Sequence, residues 1–379
     1  MPRPLPVLLL ATFLITSPDA SAQPADPRVL FQQAVELQKA GKLEAAADAY
    51  TAFLEGQPNN VEARSNLGVV FAGLGRYAEA IDAYRRALEI APSNHAVRLN
   101  LGIALYKAAR CPEAVFELSR VREAQPGNLQ ARYLEADCQM RMGASARVIE
   151  LLSPLENTRP DDRVLAYLLG LAYLQEKQFE KGQLLVDRIL RDGDSAEARL
   201  MMGVAKRGIQ DLSGSLEDLG KAVELNPELP GVHSLYGRAL LETGNRDRAR
   251  TEFEAELARN PLDFDANLYL GVLLKDEAQH EAALGHFERA LGVRPGDPGV
   301  RYQIATIHVA RGETETALPL LESIVEEAPQ FLEAHVTLAT VYYRLKRRED
   351  GDRERQIVEK LNREIQAKQP GAVAPNRTP

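Results

Sequence analysis

Tiny, large apolar and polar residues recur along this chain at fixed offsets. Pro58, Pro92, Pro126 and Pro160 are spaced 34 residues apart, as are Pro227, Pro261, Pro295 and Pro329. Asp194 stands where one further proline is expected, and the step from it to Pro227 is 33. With the proline set as position 32, position 8 is Gly or Ala in every unit, for example Ala34, Gly68, Gly102, Gly237 and Gly271. Position 20 is mostly small (Ala46, Ala80, Ala114, Gly182, Ser215), and position 24 is mostly large and apolar (Tyr50, Tyr84, Leu118, Phe253, Phe287). Positions 4, 7, 8 and 11 fall on one helical face, and 20, 24 and 27 on another. The pattern therefore predicts two helices per unit. The small residues let their backbones approach, and position 24 fills the space beside them. Gly41, Gly75, Gly143, Gly244 and Gly312 at position 15 supply a left-handed turn between the helices. The proline at 32 blocks continuation of the second helix.

A period of this size means stacked units rather than one globular core. Leu67-Gly68-x2-Phe71, Ala80-x3-Tyr84 and Pro92 resemble the tetratricopeptide repeat pattern, as do Leu270-Gly271-x2-Leu274, Ala283-x3-Phe287 and Pro295. The resemblance covers roughly residues 27–361. It implies an all-α, right-handed superhelical solenoid of about ten antiparallel helix pairs. Repeats 1–5 are expected over residues 27–194, and repeats 6–10 with a C-terminal capping helix over 196–368. The family's Trp at position 4 is missing. Arg64, Arg98, Arg132, Arg199 and Arg301 stand there, and their aliphatic stems can cover the site. Gly182 and Asp194 predict a weak seam between repeats five and six.

Composition narrows the partner class. The net charge is −8, and it stays so without residues 1–22, because Arg3 and Asp19 leave together. An acidic chain with no basic stripe argues against nucleic acid. Arg3, the apolar stretch Leu5 to Ile15 and Ala20-Ser21-Ala22 read as a signal peptide over residues 1–22, cleaved near Ala22. The expected mature protein is exported, periplasmic in a bacterium or secreted otherwise, with no stable membrane insertion. Ile357, Val358, Leu361 and Ile365 form the apolar stripe of the capping helix, and residues 369–379 read as a disordered tail.

Motifs that imitate chemistry fail their context. His280-Glu281 lacks the second His of a zinc protease helix, because Leu284 occupies its place. Gly73-x-Gly75-x-x-Ala78 follows a helix rather than a strand. Asp263-x-Asp265-x-Asn267 has Leu268 and Leu274 where a calcium loop needs Gly and Glu. The expectation is a protein that is not an enzyme, with no cofactor and no metal.

On the first helix of each unit, positions 2, 5, 9 and 12 lie opposite the core positions. A solvated face should be polar there. Instead it carries Phe31, Val69, Leu99, Ile103, Tyr106, Tyr133, Tyr167, Leu171 and Leu174, with Asn66 and Asn100 at position 6. The family resemblance implies a concave groove that binds peptide through these residues. The competing reading is that neighbouring first helices cover each other and part of this set is ordinary packing. Val164–Leu174 has no polar side chain beyond its Tyr hydroxyls and reads as a buried or ligand-covered helix. Cys111 and Cys138, the only cysteines, permit a disulfide in an exported chain, with two buried thiols as the alternative. The function expected is a scaffold or adaptor of the cell envelope or secreted space. The alternative is an accessory subunit that regulates an enzyme or captures a glycan.

Overall fold

The computed structural model describes residues 26–191 and 193–368. The predicted signal peptide and C-terminal tail lie outside the described residues. The chain divides into two compact units, one ending at Ser93 and the other beginning at Asn94. The expected boundary near 194–196 falls inside the second unit.

In the first unit, α1 (Pro27–Lys39) pairs with α2 (Leu43–Gly56), and α3 (Val61–Gly73) with α4 (Tyr77–Ile90). In the second, the pairs are α5 (His95–Lys107) with α6 (Cys111–Ala124), α7 (Leu129–Arg141) with α8 (Ser145–Leu152), and α9 (Arg163–Gln175) with α10 (Phe179–Leu190). They continue with α11 (Ala196–Gly208) and α12 (Leu212–Leu225), α13 (Val232–Glu242) and α14 (Arg246–Arg259), α15 (Phe264–Asp276) and α16 (His280–Val293). The last pairs are α17 (Pro298–Ala310) with α18 (Thr314–Glu327) and α19 (Leu332–Arg344) with α20 (Arg348–Lys368). No strand occurs among the described residues. The α8 helix stops after eight residues, because Pro154 follows and a 3₁₀ turn, Ser153–Leu155, takes over.

The small-against-large pairing is direct. A Cβ added at Gly237 would lie 2.7 Å from the Phe253 ring, and one at Gly271 would lie 2.6 Å from Phe287. At Gly182 it would lie 2.5 Å from Leu174. Position 15 is left-handed in every repeat. Gly41, Gly75, Gly143, Gly244 and Gly312 have φ between 71° and 84°, and Ala109, Lys177, Gln210, Ala278 and Lys346 adopt φ of 56–65° without being glycine.

Position 4 adds a polar role to the stem that covers the site. In five repeats its polar group ties the preceding proline's carbonyl to the fold. Arg64 Nε donates to Pro58 O at 2.7 Å, Arg132 Nη2 to Pro126 O at 3.1 Å, and Asn267 Nδ2 to Pro261 O at 3.0 Å. His233 and His335 each place Nε2 3.1 Å from the carbonyls of Pro227 and Pro329 and Nδ1 2.6 Å from Glu252 and Glu354. Where Asp194 replaces proline, its carboxylate takes over: Arg199 Nε donates to Asp194 Oδ1 at 2.7 Å. Two residues after most of the prolines, an Asn or Asp caps the next helix. Asn60 Oδ1 accepts from Ala63 N at 2.8 Å, Asn128 Oδ1 from Ala131 N at 3.0 Å, and Asp297 Oδ1 from Val300 N at 2.9 Å.

Candidate partner-binding site

The first helices of the second unit pack on each other as well as on their own partners. The α9 helix touches α7, α8, α10 and α11, which explains its all-round apolar sequence. Two of the residues assigned to an open wall are therefore core. Leu171 is 7% exposed and Leu174 is 3% exposed. The chain also closes over this region from far away in sequence. Arg294, just beyond α16, donates from Nε to the carbonyl of Arg141 at the end of α7 at 3.1 Å. Its guanidinium lies 3.6 Å from the centre of the Phe264 ring. A cavity of about 160 Å³ remains beneath, lined by Cys111, Asp137, Arg141 and Tyr167 on one side and Ser234 and Asp263 on the other.

Tyr106, Tyr133 and Tyr167, from three successive first helices, line one larger cavity of about 280 Å³. Leu134 and Leu168 join them from position 6, Ile189 from the end of α10, and Leu229 from the loop before α13. Asp137, Arg163, Val164 and Glu197 complete its lining. The hydroxyls of two tyrosines are already engaged. Tyr133 donates to Asp162 Oδ2 at 2.6 Å, and Tyr106 accepts from Arg141 Nη2 at 2.9 Å. The Arg141 guanidinium also lies 4.8 Å from the Tyr106 ring centre, and Asp137 holds its Nε at 2.9 Å. Burial pushes all three phenols up, and Asp162 adds to the shift of Tyr133.

Leu229 and Ile189 were not among the residues expected here. Leu229 sits where most repeats carry their Asn or Asp cap. In its place the left-handed Gly231 begins α13, and its N–H donates to buried Glu256 at 3.1 Å. Burial is the chief force that raises the Glu256 carboxyl, to about 7. The apolar residue at a capping position was the available signal.

The other expected residues are distributed as follows. Phe31 packs in the first unit's core, 5.9 Å from Tyr50 and 5.3 Å from Phe53 between ring centres. Asn66 is half-buried on α3, while the Tyr50 hydroxyl donates to Gln38 Oε1 at 2.7 Å. Val69 is 40% exposed. Leu99, Asn100 and Ile103 are half-buried on α5. Cys111 and Cys138 are two buried free thiols, and the Cys138 thiol is pushed up by Cys111 and by burial. His280 and Glu281 both meet Arg311, at 3.3 and 2.9 Å. No group of three or more His, Cys, Asp or Glu able to hold a metal occurs among the described residues. No described helix is long and apolar enough to cross a membrane.

Family models described as tetratricopeptide repeat match residues 31–95 and 236–298, and another of the same description matches 71–127. The chain is built from tetratricopeptide repeats. It is 24% identical over 246 residues to BBSome complex member BBS4 of Bos taurus, a match covering 56% of this chain and 47% of that protein. It is 33% identical over 113 residues to Superkiller protein 3 of Schizosaccharomyces pombe, covering 30% of this chain and 8% of the other. The match thus spans about half of the first relative and a small part of the second. A chain of the APC/C hetero-tetramer Cut9-Hcn1 shares the fold with a TM-score of 0.59 at 13% identity, over 89% of this chain and 74% of that one. Tetratricopeptide repeats generally mediate protein–protein contact, and that role suits the apolar residues left accessible on these first helices.

Proposed function

We propose that this tetratricopeptide protein is a non-enzymatic adaptor that holds a peptide segment of a protein partner against its first helices. The observation that carries the reading is the tyrosine-lined cavity of the second unit; half-buried Leu99 and Ile103 lie on α5 of the same unit, and the first unit separately exposes Val69 on α3. Apolar side chains left accessible on a face that solvation alone would make polar indicate a covering partner. The reading includes export, supported by the apolar stretch Leu5 to Ile15 before Ala20-Ser21-Ala22. An oxidising compartment would then permit a Cys111–Cys138 bridge, which alkylation without reductant and intact mass would reveal.

The test begins with proteins retained from native extract by the immobilised chain and measures their affinity for variants. Val69→Asp and Ile103→Asp should each weaken retention at least tenfold, while the outward Phe116→Asp leaves it intact; Phe116 is 57% exposed on α6. Unchanged affinity in both first-helix variants would discard the reading. Retention of a glycan in place of any protein would favour the accessory-subunit alternative. A double substitution of Tyr133 and Tyr167 to Asp is unsuitable, because both rings pack against the second unit's core.

A further inference from the structure

The cavity between Tyr106, Tyr133 and Tyr167 has a size, lining and charge balance that together define one occupant. An apolar cavity of about 150 Å³ is enough to admit benzene. This one, at about 280 Å³, has room for a phenyl or indole ring. Its walls are tyrosine rings and branched aliphatic side chains. The hydroxyls of Tyr106 and Tyr133 are turned to Arg141 and Asp162, which fixes those rings before any ligand arrives. Fixed walls lower the ordering cost of binding.

Charge decides between a neutral and an ionic occupant. Of the charged groups lining the cavity, Asp137 is paired with Arg141. The other two, Glu197 and Arg163, are opposite in sign. A neutral side chain leaves this balance undisturbed, whereas an ammonium or carboxylate would upset it and would itself have to be desolvated. The covered state of Leu171 and Leu174 limits the apolar surface available further along α9. The site is a socket for one side chain rather than a long greasy groove.

We propose that this cavity anchors a single neutral aromatic side chain of the peptide partner. The proposal rests on the peptide-binding reading above and assigns the residue class that peptide must present. Edge-to-face contact with the tyrosines and burial of the ring supply the attraction.

The chain contains no Trp, so the emission of N-acetyl-tryptophanamide can be read against tyrosine background alone. Titrating the full chain into this probe should give a saturable blue shift with one site per chain. N-acetyl-phenylalaninamide should compete, and N-acetyl-lysinamide and N-acetyl-glutamide should not. Val164 is 51% exposed at the socket, so Val164→Arg tests the site without disturbing the core. It should weaken the probe at least tenfold. Leu184→Arg, at a position 65% exposed on α10, should leave binding unchanged. Absence of saturable binding, preference for the lysine probe, or equal loss in both variants would overturn the socket. If the socket fails in this way while Val69→Asp and Ile103→Asp still release the protein partner, the peptide-binding reading stands. If those two variants release nothing while the probe binds as expected, the socket stands and that reading falls.

Discussion

At the residue scale, the repeat is governed by a few positions whose backbone or packing leaves little choice. Position 15 is left-handed whether or not it is glycine. A non-glycine residue there bears a steric cost that glycine avoids, partly offset by glycine's larger entropy loss on folding. Ala278→Gly, at φ 59°, should therefore raise stability by roughly 0.5–1 kcal/mol in urea denaturation. A lower midpoint would refute the account of this turn. Glu256 supplies a pH dependence. Its carboxyl is raised from 4.5 to about 7, chiefly by burial. Between those values the native state keeps a proton that the unfolded chain has released, so stability falls as pH rises through this window and then levels off. Glu256→Gln should flatten that slope by an amount on the order of 3 kcal/mol. Parallel stability curves for the two proteins from pH 4.5 to 7 would show that the burial argument fails. The pairing of positions 8 and 24 was legible in the sequence, because one glycine facing one large ring recurs with the period. Glu256 was not, since its desolvation depends on the irregular turn from Pro227 to Gly231.

At the element scale, most boundaries follow from local chemistry, and the exceptions follow from contacts that are distant in sequence. The prolines mark the repeat ends, and two neighbouring signals reinforce them. One is the Asn or Asp cap two residues later. The other is the position 4 donor that in five repeats holds the proline carbonyl. Both are local and legible in the sequence. The burial of Leu171 and Leu174 is not, because it depends on which helices close over α9. The junction at 191–196 lacks the proline and relies on Arg199 bound to Asp194, whose side chain is 41% exposed. Solvent-exposed ties of this kind open at low free energy. Native-state hydrogen exchange should find residues 194–199 less protected than the corresponding segment 261–267, where Asn267 is fully buried. Equal protection would remove the seam.

At the scale of the whole molecule, each unit buries its repeats against their neighbours. The second unit adds a closure of its own through Arg294. Removing that side chain frees the Arg141 carbonyl and the face of Phe264, and uncovers the smaller cavity that Cys111 lines. In the reduced protein, Arg294→Ala should speed the labelling of Cys111 by a thiol reagent several-fold, and an unchanged rate would mean that the closure does not gate access. The central claim is that partners meet the first helices rather than the outer surface. Photo-crosslinking tests this most directly, with p-benzoylphenylalanine placed singly at Val69, Ile103 and Val164, and at Phe116 and Leu184 for comparison. The account predicts partner adducts from the first three sites and none from the last two. Adducts from Phe116 or Leu184, with none from the first helices, would contradict it.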